Sequence, residues 1–207
     1  MSSATITTSA RLMNSTPQTE EQAMVRKVAV SSFLGNFIEW FDYASYSYFA
    51  LVFFPTDNHT VAMLQTFGVF ALSFILRPIG ALFWGSYGDK KGRKAALAHS
   101  IMFMSGASFL IGCLPSYSVI GVGAPILLLL LRMVQGFSAS GEYAGAATFL
   151  GEYAPTSKRG IYCSLIPAST AIGLLAGSTL ATLMTANMNS SAMVGWGWRV
   201  PFLLAGP

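Results

Sequence analysis

Residues 85–94 read Gly-Ser-Tyr-Gly-Asp-Lys-Lys-Gly-Arg-Lys and stand between two long apolar runs, 61–84 and 95–114. Four cations and one carboxylate cannot rest in hydrocarbon, where each charge costs about 2.5 to 3.5 kcal/mol even on the lenient insertion scale. The segment is therefore expected to be a water-exposed loop joining two membrane-crossing helices. Its excess of Lys and Arg assigns that loop to the cytoplasmic face.

Composition points the same way. The chain is 53% hydrophobic and 10% charged, with a mean hydropathy of +0.55, whereas a soluble domain carries about 25% charged residues. The formal charge of +4 does not imply nucleic acid, because the basic residues sort by side of the membrane and form no stripe interleaved with base-stacking aromatics. Charge-poor runs of about 20 residues, the length that crosses a bilayer, lie at 27–54, 61–84, 95–114, 124–150 and 161–184. A sixth begins at Arg199, yet residues 199–207 would extend only about 14 Å as a helix, less than half of a core of about 30 Å. The expected architecture is an all-α integral membrane protein, a six-helix bundle whose sixth helix is incomplete, in a chain that reads as truncated.

Lys and Arg fall on one side. Arg11, Arg26, Lys27, Lys90, Lys91, Arg93, Lys94, Lys158 and Arg159 lie in the tail or in alternate loops, and the loops around Asp57, Ser116 and Asn189 have none before Arg199. The amino terminus is accordingly expected in the cytoplasm, with the chain multi-pass in the cell inner membrane. Residues 1–26 are polar and rich in Ser and Thr, without a cleavable leader pattern, and are expected to form a disordered tail. Cys113 and Cys163 fall at opposite ends of their spans, too far apart for a disulfide, and read as packing residues. His59 and His99 lack ligand spacing, and no zinc site, phosphate loop or hydrolase triad is present, so neither a metal nor a cofactor is expected, nor an enzymatic activity.

The Gly-x-x-Gly-Asp-Lys-x-Gly-Arg-Lys pattern at 85–94 resembles the loop between the second and third helices of the major facilitator superfamily. Within it, Gly-Asn-Phe-Ile-Glu-Trp-Phe-Asp at 35–42, Arg-Pro-Ile-Gly at 77–80, Arg-Met-Val-Gln-Gly-Phe-Ser-Ala-Ser-Gly-Glu-Tyr at 132–143 and Trp-Gly-Trp-Arg-Val-Pro-Phe at 196–202 resemble the metabolite:proton symporters in content and order. Pro-Ile-Leu-Leu-Leu at 125–129, Gly-Glu-Tyr-Ala-Gly-Ala at 141–146 and Glu-Tyr-Ala-Pro-x-x-Lys-Arg-Gly at 152–160 are most similar to the proline/glycine betaine branch. Ser140 departs from the glycine usual there. The fifth span has Ala-Ile-Gly-Leu-Leu-Ala-Gly at 171–177, unlike the Gly-Pro-x-x-Gly-Gly run of drug:proton antiporters.

That resemblance implies proton-driven uptake of a small polar metabolite, with an osmolyte such as proline or glycine betaine first and a dicarboxylate, a tricarboxylate or shikimate as alternatives. It implies alternating access between two six-helix halves, substrate and proton binding near the midplane, with lipid around the bundle and a carboxyl-terminal half required for function. It also implies a cytoplasmic gate built from Gly85, Gly88, Asp89, Gly92, Arg93, Glu152 and Arg159, the glycines permitting a tight turn and close helix approach. The alternative for the same residues is a purely topological signal. A non-transporting membrane fragment is a further alternative for the chain as a whole.

Five ionisable residues lie inside the spans: Glu39, Asp42, Arg77, Arg132 and Glu142. At 100° per residue Asn36, Glu39, Asp42, Tyr43, Tyr46 and Ser47 form one polar arc on the first helix, opposite Leu34, Phe37, Ile38, Phe41 and Ala44. In a chain without its second half this stripe, with Arg132, is expected to face lipid or another chain. Depth counting from the assumed span ends pairs Glu39 with Arg132 and Arg77 with Glu142. Low-dielectric surroundings favour the neutral form of a carboxylic acid, making Glu39 and Asp42 the candidates for taking up a proton. Trp40, Tyr43 and Tyr46 accompany them and offer faces to a quaternary ammonium group. Gly173 and Gly177, four apart, read as a site of close helix packing.

Overall fold

The computed structural model describes residues 16–49, 52–54, 56 and 58–205; the side chains of residues 16–21 and of His59, Arg93, Lys94, Glu142 and Ala144 lie outside that description. The described residues form helices α1 (Thr16–Phe49), α2 (His59–Ile75), α3 (Arg77–Lys91), α4 (Arg93–Cys113), α5 (Tyr117–Ile120), α6 (Gly123–Ala139), α7 (Glu142–Tyr153), α8 (Arg159–Asn187), α9 (Ser190–Ala192) and α10 (Arg199–Leu204), with a π-helical turn, Met193–Gly197, before the last. The all-α class is borne out. Thr60–Lys91, Ala95–Cys113 and Arg159–Asn187 are long and apolar enough to cross a membrane. The first helix is not in that set, because one face of it is polar.

Boundaries differ from the sequence-based expectation in five places. Helix α1 is already helical at Thr16, the first described residue, well ahead of 27, and Val25 is buried with Ala29, Ala146, Leu150, Ala154 and Ile166 in a cluster that gives this stretch its own docking face. Residues 1–15 of the expected tail lie outside the described residues. The expected basic loop is almost entirely helical: Gly85 to Lys91 complete α3, α4 starts at Arg93, and Gly92 alone makes the turn with φ 93° and ψ 140°. Only glycine takes that backbone readily, and Lys90 and Lys91 in the last turn of α3 complement its negative dipole end.

The second span divides into α2 and α3 at Leu76, where Pro78 lacks the N–H that would have bonded the carbonyl of Phe74. The fourth divides into α6 and α7 at Ser140 and Gly141. The last span is helical from Ser190 rather than from Arg199, through a π-turn in which the Trp198 N–H bonds the Met193 carbonyl five residues back. Cys113 and Cys163 are free thiols.

Packing is set by small residues. A Cβ on Gly173 would stand 2.6 Å from the Phe37 carbonyl oxygen, and one on Gly177 would stand 2.7 Å from that of Phe41 and 2.8 Å from Ala44 Cβ. The backbones of α1 and α8 are therefore in direct contact, the close packing that the spacing of these glycines implied. Between α2 and α6 a Cβ on Gly136 would lie 2.0 Å from the Ser73 oxygen. At the end away from the basic turn, Tyr46, Phe49, Phe53, Ile111, Leu114, Leu128, Trp198 and Phe202 form one buried cluster joining α1, α4, α6 and α10. Arg199 closes it, donating to the Leu114 carbonyl at 3.1 Å and to the Gly195 carbonyl at 2.6 Å while stacking 4.4 Å from the Trp198 ring.

Replacing Gly177 by valine is expected to separate α1 from α8 and to lower stability by about 1–3 kcal/mol or more, the usual cost of overpacking. A Gly68→Ala control, at a helical position where a Cβ would meet nothing within 4 Å, is expected to be neutral or stabilising. Melting temperatures in detergent check both.

A buried charge layer and its aromatic wall

The polar arc of α1 turns inward. Asn36, Glu39, Asp42, Tyr43 and Tyr46 are buried, Leu34 is exposed, and Phe37, Ile38 and Phe41 are partly so. Two members of the helix break the pattern: Ser47 is exposed, and Ala44 is buried where it meets Gly177. Asn36 ties the arc to α8, its Nδ2 donating to Ser169 Oγ at 2.7 Å and Thr170 Oγ1 at 2.8 Å. Its Oδ1 accepts from the Trp40 indole at 3.2 Å.

Two arginines reach this arc from different helices. Arg77, the first residue of α3, donates through Nη2 to Glu39 Oε1 and to the Tyr43 hydroxyl at 2.8 Å. Its guanidinium lies 4.2 Å from the Phe74 ring centre and 5.7 Å from that of Tyr43. Arg132 of α6 is fully buried and donates through Nη1 to Asp42 Oδ2 and to Gln135 Oε1 at 3.0 Å. Gln135 in turn donates to Ser108 Oγ at 2.6 Å and to Asp42 Oδ2 at 3.2 Å. Tyr46 stacks 4.1 Å from the Arg132 guanidinium, with Tyr43 at 5.7 Å and Phe202 at 5.8 Å. Arg132 Nε and Nη2 and Asp42 Oδ1 have no hydrogen-bond partner among the described residues.

The pairs among the described residues are thus Glu39 with Arg77 and Asp42 with Arg132, which corrects the expected Glu39–Arg132 pair; the expected Arg77–Glu142 pair falls on a side chain outside the described residues. The cause is the true length of α3. Because that helix runs on to Lys91, Arg77 stands about 21 Å above its basic end by helix rise, the depth of Glu39 and not that of a residue near the interface. Arg132 then meets Asp42, one turn or about 4.5 Å beyond Glu39. Glu142 opens α7 after the break, and its side chain lies outside the described residues. The expected outward exposure of this layer is also overturned: Glu39, Asp42 and Arg132 are 5%, 2% and 0% exposed, covered by α4, α6 and α10 of the same bundle.

Tyr43 borders two spaces. Trp40, Tyr43 and Tyr46, with Thr66, Phe67, Phe70 and Leu174 among the other walls, line a cavity of about 170 Å³ that is open on the side of the exposed Phe67 and Leu174. On its other side Tyr43 joins Glu39, Asp42, Met104, Ser108 and Gln135 around a narrow cleft. The rings of Trp40 and Phe70 meet Tyr43 edge-on, at 5.8 Å and 4.9 Å. No metal-binding group of His, Cys, Asp and Glu is found among the described residues.

The motif residues at the basic end are spread out. Asp89, Glu152 and Arg159 are exposed and join no ion pair among the described residues; the Arg93 side chain lies outside them. Gly88 is buried, Gly92 makes the turn, and a Cβ on Gly85 would meet nothing within 4 Å. Sequence reading missed Ser108, Phe70 and Phe74 as members of the layer. A lone serine or phenylalanine in an apolar span carries no signal until its neighbours are known.

A helical bundle with apolar spans and charges paired at mid-span, three of the four buried, defines a multi-pass membrane protein of the transporter class. Residues 27–207 match the family model described as "Sugar (and other) transporter", and the chain belongs to that family, within the major facilitator superfamily. It is 41% identical over 191 residues to the "Proline/betaine transporter" of Salmonella typhimurium, covering 90% of this chain and 38% of that protein. It is 42% identical over 191 residues to the "Glycine betaine/proline/ectoine/pipecolic acid transporter OusA" of Dickeya dadantii, with the same coverage. The "Alpha-ketoglutarate permease" of Escherichia coli is 40% identical over 208 residues, covering 99% of this chain and 47% of that protein. The chain therefore spans less than half the length of these relatives, all of which are named as transporters and not as enzymes.

Removing one partner of either pair strands a buried charge and is expected to cost about 3–5 kcal/mol. Double-mutant cycles on thermal stability should give coupling within about 0.5–3 kcal/mol for Glu39→Gln with Arg77→Gln and for Asp42→Asn with Arg132→Gln, and clearly less for Glu39→Gln with Arg132→Gln.

Proposed function

We propose that this chain supplies the amino-terminal six-helix half of a proton-coupled symporter for a small zwitterionic osmolyte of the proline or glycine betaine class. The observation that carries the reading is the layer in which two carboxylates one turn apart on α1 each hold an arginine from a different helix. Buried ionisable groups in a membrane bundle are costly and are kept at ion and substrate pathways. Glu39 and Asp42 are the groups that take up the proton; neutralising either one releases its arginine to receive a substrate carboxylate. Substrate and proton bind near the midplane, and the two halves rock around them.

The aromatic cavity supports the choice of substrate class. Its 170 Å³ is small beside the roughly 300–1,000 Å³ of a drug-sized site, and Trp40, Tyr43 and Tyr46 offer ring faces suited to a quaternary ammonium. The similarity to transporters named for proline and betaine agrees with this. A dicarboxylate is the second reading, favoured by the near-complete alignment of this chain with the permease named for alpha-ketoglutarate. The basic turn at Lys90 and Lys91 marks the cytoplasmic face by the positive-inside rule, which puts the amino terminus in the cytoplasm and the protein in the cell inner membrane, with lipid around it. Asp89 and Arg93, with Glu152 and Arg159, serve a gate at that face, Gly85, Gly88 and Gly92 giving it its turn and packing.

The test is uptake of labelled betaine, proline and 2-oxoglutarate by the chain joined to a second six-helix half in proteoliposomes under an imposed pH gradient. Accumulation abolished by an uncoupler is expected; insensitivity would remove the proton from the mechanism. Betaine uptake competed by 2-oxoglutarate but not by proline would favour the second reading. Asp89→Asn is expected to slow transport while membrane insertion stays intact, since Lys90 and Lys91 still set orientation; unchanged turnover would reduce the turn to a topological signal. The chain reconstituted alone is expected to accumulate none of the three.

A further inference from the structure

We propose that the Tyr43 hydroxyl is the positioning group that couples occupancy of the aromatic cavity to the charge pairs. This rests on the transport reading above and goes beyond it, since it assigns the link between the two sites to one side chain. Tyr43 is the residue shared by both spaces, its ring walling the cavity with Trp40 and Phe70 and its body bordering the cleft of Glu39 and Asp42. The phenol is rigid, so a ligand that displaces the ring displaces the oxygen with it.

That oxygen shares its donor with a carboxylate. Arg77 Nη2 donates both to Tyr43 and to Glu39; the Glu39 side chain is 4% exposed and that of Arg77 22%, and a largely buried N–H deprived of its acceptor is costly. Moving the hydroxyl therefore makes Arg77 either follow it, weakening the hold on Glu39, or remain with an unmet donor. The second guanidinium, Arg132, lies 5.7 Å from the same ring, so both arginines sense its position. The charged and titratable groups facing Tyr43 are Glu39, Asp42 and Tyr46 from α1, Arg77 from α3 and Arg132 from α6. Phe70 and Phe74 from α2 are apolar and hold the ring on its remaining side. Coupling of this kind is reciprocal: substrate changes proton affinity by the factor through which the proton changes substrate affinity.

Tyr43→Phe keeps the ring and deletes the hydroxyl, and Tyr43→Leu removes both. In the chain joined to its second half, betaine affinity is measured by calorimetry on the acid and alkaline sides of neutrality, with counterflow at equal pH and gradient-driven accumulation in proteoliposomes. The wild type is expected to change affinity about tenfold between the two pH values and Tyr43→Phe less than about twofold, with accumulation reduced by a clearly larger factor than counterflow. Tyr43→Leu should lose counterflow as well. Wild-type pH dependence and accumulation in Tyr43→Phe would overturn the assignment, as would equal loss of counterflow and accumulation in a variant that melts like the wild type. Absence of betaine, proline and 2-oxoglutarate transport in the wild type would overturn the transport reading, and this inference with it.

Discussion

A guanidinium withdrawn from water must be met by a carboxylate at its own depth, and the bundle is arranged around that demand. Helix α1 carries both carboxylates, so α3 and α6, which share no charge with each other among the described residues, are each registered against the same element. Stacking of Arg77 on Phe74 and of Arg132 on Tyr46 fixes the planes of the guanidiniums as well as their positions. Pairs of this kind add little net stability compared with well-packed apolar residues of the same volume, yet losing one member is severe. Net stability alone therefore does not account for their presence at mid-span.

Glycine contacts supply the cohesion that the charges do not. Between α1 and α8 the backbone itself forms the interface at Gly173 and Gly177, and in lipid, where no hydrophobic force draws helices together, such close van der Waals contact is what holds them. The same contact places Leu174 opposite Trp40 and Tyr43, where these residues line the cavity. Packing and site are therefore not separate regions of this chain.

Much of this was legible before any coordinates. The apolar runs, the one-sided Lys and Arg and the 100° arc from Asn36 to Tyr46 require only hydropathy and helical period; they predicted the helical class and gathered the polar residues of α1 on one face, but that face was expected outward and is buried within the bundle. The partners of Glu39 and Asp42 were not legible, because depth was measured from assumed span ends. Residues 16–26, with the buried Val25, extend α1 below its apolar run, and Gly85 to Lys91 extend α3 below its own. Both extensions are made by tertiary docking and helix continuity in residues whose composition reads as loop or tail. An error of two turns in α3 is enough to exchange one arginine for another. Ser108 and Phe74 acquire their roles only through proximity.

The interruption at Leu76 gives the second span a joint, and Arg77 is the first residue beyond it. Leu76 keeps a helical backbone, φ −79° and ψ −13°, so the hydrogen bond that Pro78 cannot make weakens the ladder beside the cation without turning the chain. Any flexing of α2 against α3 swings the guanidinium relative to Glu39, so the bend of this span and the distance across its ion pair form a single mechanical coordinate.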